Sequence, residues 1–299
     1  MDQPVLDFNN WSTLCIERVN QFLDSHLPAA ELEPSLLHQA MRYAALSPGK
    51  RIRPLLCFAS GHITGANLDN LSLASAAIEL IHAYSLVHDD LPAMDNDVLR
   101  RGQPTCHVKF GEAIALLAGD TLQTLAFEWL SQETILTPSQ QLQLIRQLAQ
   151  ASGSLGMGGG QAIDLTHVNQ SIDLSLLEKM HQMKTGALIE ASILMGAHCG
   201  QALTPNTENT LKTIGRQLGL IFQIKDDLLD AQSDSVTLGK TAGKDAARNK
   251  PTYVSIMGMN EAERLLKRLA DETFLLIEQL GDSAYYLMQL SQLFVHRQH

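Results

Sequence analysis

Two clusters of aspartates stand out in the chain. The first reads Asp89-Asp90-Leu91-Pro92-Ala93-Met94-Asp95-Asn96-Asp97, and the second reads Asp226-Asp227-Leu228-Leu229-Asp230. Each closes an apolar stretch with helical spacing instead of lying on a polar face. At about 100° per residue, Asp226 and Asp230 fall within about 40° of one another on a helix. Asp89 and Asp95 would point about 120° apart on a continuous helix, but Pro92 interrupts it and lets Asp95 loop back toward Asp89. Like charges one turn apart repel, so two such clusters call for a cation. An all-carboxylate donor set without His or Cys suits Mg²⁺, which takes a few carboxylates together with substrate phosphates. The plainer alternative is that the acids cap or solvate helix ends; it accounts for one cluster more easily than for two.

The cations are sparse but grouped. Gly49-Lys50-Arg51-Ile52-Arg53-Pro54 opens a helix, Arg100-Arg101-Gly102 directly follows the first acidic cluster, Lys184-Thr185-Gly186 lies within a helix, and Lys240 and Lys250 lie in a polar stretch. A basic triplet beside glycine at a helix start offers donors and helix dipole to a phosphate group. No Ser-His-Asp or Cys-His nucleophile constellation is evident. The glycine-rich run at 153–160 follows no strand, so it reads as close helix packing at a bend and not as a dinucleotide loop. Gln161 and Asp164 follow it on a helix and are secondary candidates for the interior. His88 reads as a packed or hydrogen-bonded histidine, and the polar tail from His296 to His299 could reach a closed site, although no spacing ties it to one.

The elements that must position these residues are helices. Apolar positions recur at helical spacing over residues 11–26, 34–46, 71–90, 112–132, 139–155, 174–199, 206–231, 260–280 and 282–297. No alternating strand pair with an Asn-Gly or Asp-Gly turn is found. The expected fold is all-α: a single domain over residues 1–299, with many helices around a common interior. The polar stretch 232–251 is expected to act as a lid. With 22 Lys+Arg against 32 Asp+Glu, a net charge of −10 argues against nucleic-acid binding by phosphate neutralisation. A chain that is 45% hydrophobic and 18% charged is too apolar for disorder. Dispersed Cys15, Cys57, Cys106 and Cys199 predict reduced thiols and a cytoplasmic setting. The first residues lack the basic and apolar regions of a signal peptide, and residues 71–87 read as too short and too polar for a membrane span.

The motifs HAYSLVHDDLPAMDNDVLRRG, FQIKDDLLD, GKRIRP, KTG and the Lys240…Lys250 segment resemble those of the trans-prenyltransferases, the isoprenyl diphosphate synthases, in the family's order over nearly the whole chain. The resemblance is nearest to the short-chain bacterial branch that makes farnesyl diphosphate, whose first motif has the same two extra residues before its last aspartate. Asn96 and Val98 depart from that pattern, where acids are common. The resemblance implies a homodimeric enzyme folded as a bundle of long helices around a central cavity. It condenses isopentenyl diphosphate with an allylic diphosphate, with about three Mg²⁺ held by Asp89, Asp95 and Asp226 directly and by Asp90 and Asp230 directly or through water. It further implies that Arg100, Lys184, Lys240 and Lys250 meet the allylic diphosphate. Gly49, Lys50, Arg53, His82 and Arg101 would hold isopentenyl diphosphate. The Lys184 carbonyl, the Thr185 hydroxyl and Gln223 would stabilise the allylic cation.

Product length should follow cavity depth. Tyr84 precedes Asp89 by five residues, about 7.5 Å along a helix, and Ser85 lies one residue nearer. A bulky Tyr84 reads as a floor that favours the farnesyl product; ordinary core packing is the alternative for it. Three rival readings remain at this stage. They are a geranylgeranyl or geranyl diphosphate synthase of the same fold, a helical His-Asp metal phosphohydrolase using His82, His88, Asp89 and Asp226, and a non-catalytic subunit. The intact acidic clusters speak against the last.

Overall fold

Alanine and leucine at helical spacing, with few β-branched runs, leave the chain little choice but helix. The computed structural model, which describes residues 6–132, 136–168, 170–236 and 251–297, is built almost wholly from helices. They run α1 (Phe8–His26), α2 (Ser35–Ala45), α3 (Ile52–Ile63), α4 (Leu68–Asp89), α5 (Cys106–Phe110), α6 (Glu112–Ser131), α7 (Pro138–Ser152), α8 (Met157–Thr166), α9 (Leu174–His181), α10 (Ala187–His198), α11 (Pro205–Val236), α12 (Tyr253–Met257), α13 (Met259–Glu278) and α14 (Tyr285–His296). Lys240, Lys250 and most of the stretch 232–251 lie outside the described residues.

Starts and stops follow local chemistry. Asp7 caps α1 by accepting from the backbone N–H groups of Asn9 and Asn10, and Thr137 with Gln140 forms a reciprocal capping box on α7. Two features depart from the sequence-based expectation. The helix expected over residues 174–199 is broken by one π-helical turn, Gln182–Gly186, between α9 and α10. That turn lies against α11 through paired glycines, since a Cβ on Gly219 would sit 2.6 Å from the Gly186 Cα. A short antiparallel hairpin also appears, β1 (Leu99–Arg100) with β2 (Gln103–Pro104). Its two-residue turn is Arg101-Gly102, both at positive φ, 52° and 76°. Arg-Gly therefore occupies the geometry usually given to Asn-Gly, which is why the turn signal was missed.

The core surrounds α4 and α10. Helix α4 is buried along most of residues 70–81 and packs on α1, α2, α3 and α6. The length argument against a membrane span fails here, because α4 runs 22 residues and is apolar enough to cross one. Its apolar surface is instead consumed inside the protein, with 72% of that window buried. Helix α10 is likewise buried from Leu188 to His198, apart from Glu190, and packs on α3, α7 and α11. All four cysteines are free and buried. Desolvation pushes the Cys15 and Cys57 thiols up to about 12, so they are packing groups and not nucleophiles.

Close approach of α3 and α10 depends on Gly196, where a Cβ would come 2.0 Å from the Cys57 carbonyl oxygen. Gly196→Ala must push two core helices apart. Denaturant unfolding should show a loss of about 2 kcal/mol or more.

Candidate functional site

The N-terminal end of α3, the C-terminal half of α4, the hairpin, α8, the π-turn and α11 enclose a cavity of about 820 Å³. One end of it is basic. Lys50, Arg51, Arg53, Arg100 and Arg101 line it, with Glu79 as the acidic group among them. Arg51 sits just before α3 in the left-handed region, at φ 48°. Its guanidinium donates to Glu79 Oε1 at 2.6 Å, to the Ala45 carbonyl at 3.0 Å and to Asn20 Oδ1 at 2.9 Å. Arg51 is thus a structural strut that holds the remaining cations in place. Arg53 keeps a buried Nε with no hydrogen-bond partner, and burial pushes its pKa down against the opposing pull of Glu79. His82 is driven well below its ordinary value by burial and then by Arg53, Arg101, Arg100 and Arg51, so it is neutral at pH 7. Gly49 makes room for Arg101, whose Nη1 lies 2.6 Å from where a Cβ would be. Arg101 also donates to the Pro48 carbonyl. Burial and mutual repulsion leave this mouth deficient in negative charge, which suits a polyanion.

The acidic clusters flank the other side. Helix α4 ends at Asp89, and the Asp95 N–H donates to the Asp89 carbonyl at 2.8 Å, so the chain does turn Asp95 back. Burial raises the Asp89 pKa; Lys184 pulls it down, and Asp95 pushes it up. Asp90 is placed differently from the ligand role expected of it. It is buried, and both its oxygens accept from Arg100, at 2.9 Å and 3.1 Å from Nε and 2.7 Å from Nη2. Asp90 therefore aims Arg100 at the cavity. In the second cluster, Asp226 pairs with Arg297 at 2.7 Å. Its carboxyl is pushed up to about 6 by desolvation, with Arg297 pulling it back and Asp230 adding to the rise. Asp227 is buried and accepts the Tyr253 N–H at 2.7 Å, tying α12 to α11. Asp230 is exposed.

Among the described residues no three His, Cys, Asp or Glu side chains form a ready-made metal cage. The donors present are nonetheless hard carboxylate oxygens, and at Asp89 and Asp226 raised pKa values record desolvation and then like-charge neighbours, the conditions a divalent cation relieves. Mg²⁺ keeps several waters and completes its shell on phosphate, so it does not need an all-protein cage. Asp89, Asp95 and Asp226 fit that demand; Asp90 fits it poorly.

The π-turn supplies the third group. Lys184 Nζ reaches Asp164 Oδ2 at 2.6 Å, and the Thr185 hydroxyl donates to Gln223 Oε1 at 2.5 Å. Lys184 and Thr185 line the cavity. The glycine-rich run packs as expected, since a Cβ on Gly160 would meet the Lys184 nitrogen at 2.2 Å. Gln161 lines the cavity with its Oε1 buried and without a partner. Tyr84 and Ser85 line the cavity too, although the Ser85 hydroxyl is spent on the His82 carbonyl at 2.8 Å.

Three placements escaped the sequence. Arg297 reaches Asp226, donates to the Phe222 carbonyl at 2.6 Å and lies over the Phe222 ring. No spacing links residue 297 to residue 226; only the packing of α14 on α11 brings them together. Asp164 as the Lys184 partner and Glu79 as the Arg51 partner had weak signals, a buried acid in an apolar helix being the available one. The histidines argue against a His-Asp metal hydrolase. His82 sits among arginines, and His88 Nε2 is 3.0 Å from the Leu116 carbonyl.

Residues 34–283 match the family described as polyprenyl synthetase. The chain is 42% identical over 281 residues to the farnesyl diphosphate synthase of Escherichia coli, covering 93% of this chain and 94% of that protein. It is 44% identical over 264 residues to the farnesyl diphosphate synthase of Haemophilus influenzae, covering 88% and 90%. An FPP/GFPP synthase structure from Zymomonas mobilis superposes with a TM-score of 0.87 at 38% identity, covering 97% of this chain and 99% of that one.

The Arg297 contact lowers the proton affinity of Asp226. In Arg297→Ala, ¹³C carboxyl NMR of the metal-free protein should show Asp226 titrating above the wild-type value of about 6. Protonation then persists to higher pH, and Mg²⁺ should compete less well near pH 6.

Proposed function

Because the chain belongs to the polyprenyl synthetase family, we propose that it joins isopentenyl diphosphate head-to-tail to dimethylallyl and then geranyl diphosphate, releasing farnesyl diphosphate. The observation that carries this reading is one cavity lined by a basic mouth, by Asp89 of the first carboxylate cluster, by Arg297, which pairs with Asp226 of the second, and by the aromatic ring of Tyr84. A phosphohydrolase needs no such apolar recess.

Isopentenyl diphosphate sits in the basic mouth, against Gly49, Lys50, Arg53, neutral His82 and Arg101. Arg53, with its unpartnered Nε and Glu79 nearby, is drawn to a phosphate oxygen. The allylic diphosphate lies between the clusters, met by Lys184 and by Arg100 as Asp90 aims it; Lys240 and Lys250 join from outside the described residues. Asp89, Asp95 and Asp226, with Asp230 through water, hold Mg²⁺, about three ions in the full site. When bound, the metal neutralises the charge that develops on the departing diphosphate.

The allylic C–O bond breaks, and its electron pair leaves with the diphosphate. The isopentenyl double bond supplies the pair that forms the new C–C bond, and the proton then lost passes to the released diphosphate. No protein nucleophile is required. The Thr185 hydroxyl, oriented by Gln223, and the Lys184 carbonyl at the π-turn put negative dipole ends beside the allylic cation. Tyr84, with Ser85 beside it on the cavity wall, ends the tail's path, which favours the fifteen-carbon product.

Residues 1–299 are read as one domain, supported by a core running from Trp11 to Phe294. Buried, unpaired thiols support a cytoplasmic setting, and the family resemblance supports a homodimer.

Purified protein given dimethylallyl and isopentenyl diphosphates with Mg²⁺ should yield a fifteen-carbon diphosphate by mass spectrometry, and none with excess chelator. Phosphate release without condensation would favour a hydrolase, and a twenty-carbon product would move the chain to the geranylgeranyl class. Tyr84→Ala should lengthen the product; an unchanged length would remove Tyr84 as the end wall.

A further inference from the structure

Helices α4 and α6 meet at a point where α6 carries no side chain. A Cβ on Gly119 would come 2.1 Å from His88 Nε2 and 2.4 Å from His88 Cδ2. The notch left by this glycine therefore holds the His88 imidazole. There the His88 Nε2–H donates to the Leu116 carbonyl at 3.0 Å, and Asp120 stands 3.8 Å from the same nitrogen. One turn earlier on α4, Tyr84 meets His88 edge to face, with ring centroids 5.7 Å apart and planes at 77°. Both side chains line the cavity. His88 is thus anchored to the α6 backbone on one side and packs against Tyr84 on the other. A ring pinned edge to face by a fixed neighbour resists displacement by a longer apolar tail, whereas a ring beside a void can recline into it.

We propose that His88, seated in the Gly119 notch, is the strut that holds Tyr84 as the end wall against the growing prenyl tail, and so is a positioning residue that determines product length. This rests on the reading of Tyr84 as that wall. His88 is placed among no reacting groups here, and its neighbour Asp89 lines the cavity. Substitutions at the two positions act with opposite sign. His88→Ala leaves a hollow beside Tyr84. Gly119→Ala fills the notch and drives the imidazole off α6 toward the cavity.

The test is the product distribution of wild type, His88→Ala, His88→Gln, Gly119→Ala and Tyr84→Ala, each supplied with dimethylallyl and isopentenyl diphosphates and Mg²⁺, with folding checked by circular dichroism. His88→Ala should raise the ratio of twenty- to fifteen-carbon product about tenfold, the scale set by a change of a methylene or so in an apolar pocket. His88→Gln keeps a donor for the Leu116 carbonyl and should return the ratio toward wild type. Gly119→Ala should enrich the ten-carbon product. Wild-type distributions in His88→Ala and Gly119→Ala, with longer products from Tyr84→Ala, overturn the strut while leaving the wall in place. Unchanged products from Tyr84→Ala remove the wall and the strut together, and absence of condensation by the wild type removes the functional reading with both. If His88→Ala does not fold, Gly119→Ala decides alone, and an unchanged distribution overturns the proposal.

Discussion

Arg51 and Glu79 meet at 2.6 Å where α3 and α4 converge on the cavity, with side chains only 4% and 6% exposed. Around that contact lie Lys50, Arg53, Arg100 and Arg101, whose mutual repulsion would otherwise spread the mouth apart. Burying charge is costly unless it is paired and hydrogen-bonded, and removing one partner of such a pair costs about 3–5 kcal/mol. Glu79 therefore does more than satisfy Arg51. It tempers the whole basic end, raising the proton affinity of Arg53 and Arg101 while each is pulled down by desolvation. The surplus positive charge that remains is what a diphosphate would neutralise.

The acidic side follows the same logic with the opposite sign. Each cluster contains one carboxylate already spent on structure. Asp90 is bound by Arg100 and Asp227 by the α12 backbone, while Asp226 is held by Arg297 beside the cavity. The spent acids position the available groups: Asp90 points Arg100 inward, and Asp227 ties the start of α12 to α11. Regular helices serve the core, and the departures from regularity serve the cavity. Helix α4 stops at Asp89, the Arg101-Gly102 turn throws two arginines to one side, and the π-turn offsets Lys184 and Thr185 from the continuous helical register.

Much of this was legible from residue order. Local spacing determines helix, so an all-α bundle could be read from apolar periodicity, and Pro92 was enough to foresee the return of Asp95 toward Asp89. Both aspartate clusters and the basic segments at Lys50–Arg53 and Arg100–Arg101 are short-range patterns whose chemistry depends on residue type, and the cavity lining contains Asp89 and those cations. The helix read over residues 71–90 matches α4, and only its apolar character was understated, because Glu79 counts as a charge in the sequence and is a buried partner in the fold.

What residue order could not convey was which groups meet across the bundle. Arg297 on Asp226, Asp164 on Lys184, Glu79 on Arg51 and His88 in the Gly119 notch each join residues from different helices. Such contacts are set by how helix faces pack and where a missing side chain lets one backbone approach another. Helical propensity and charge type are properties of neighbouring residues and survive in the sequence. The pairing of buried charges and the end of a cavity are properties of packing, and only the tertiary structure decides them.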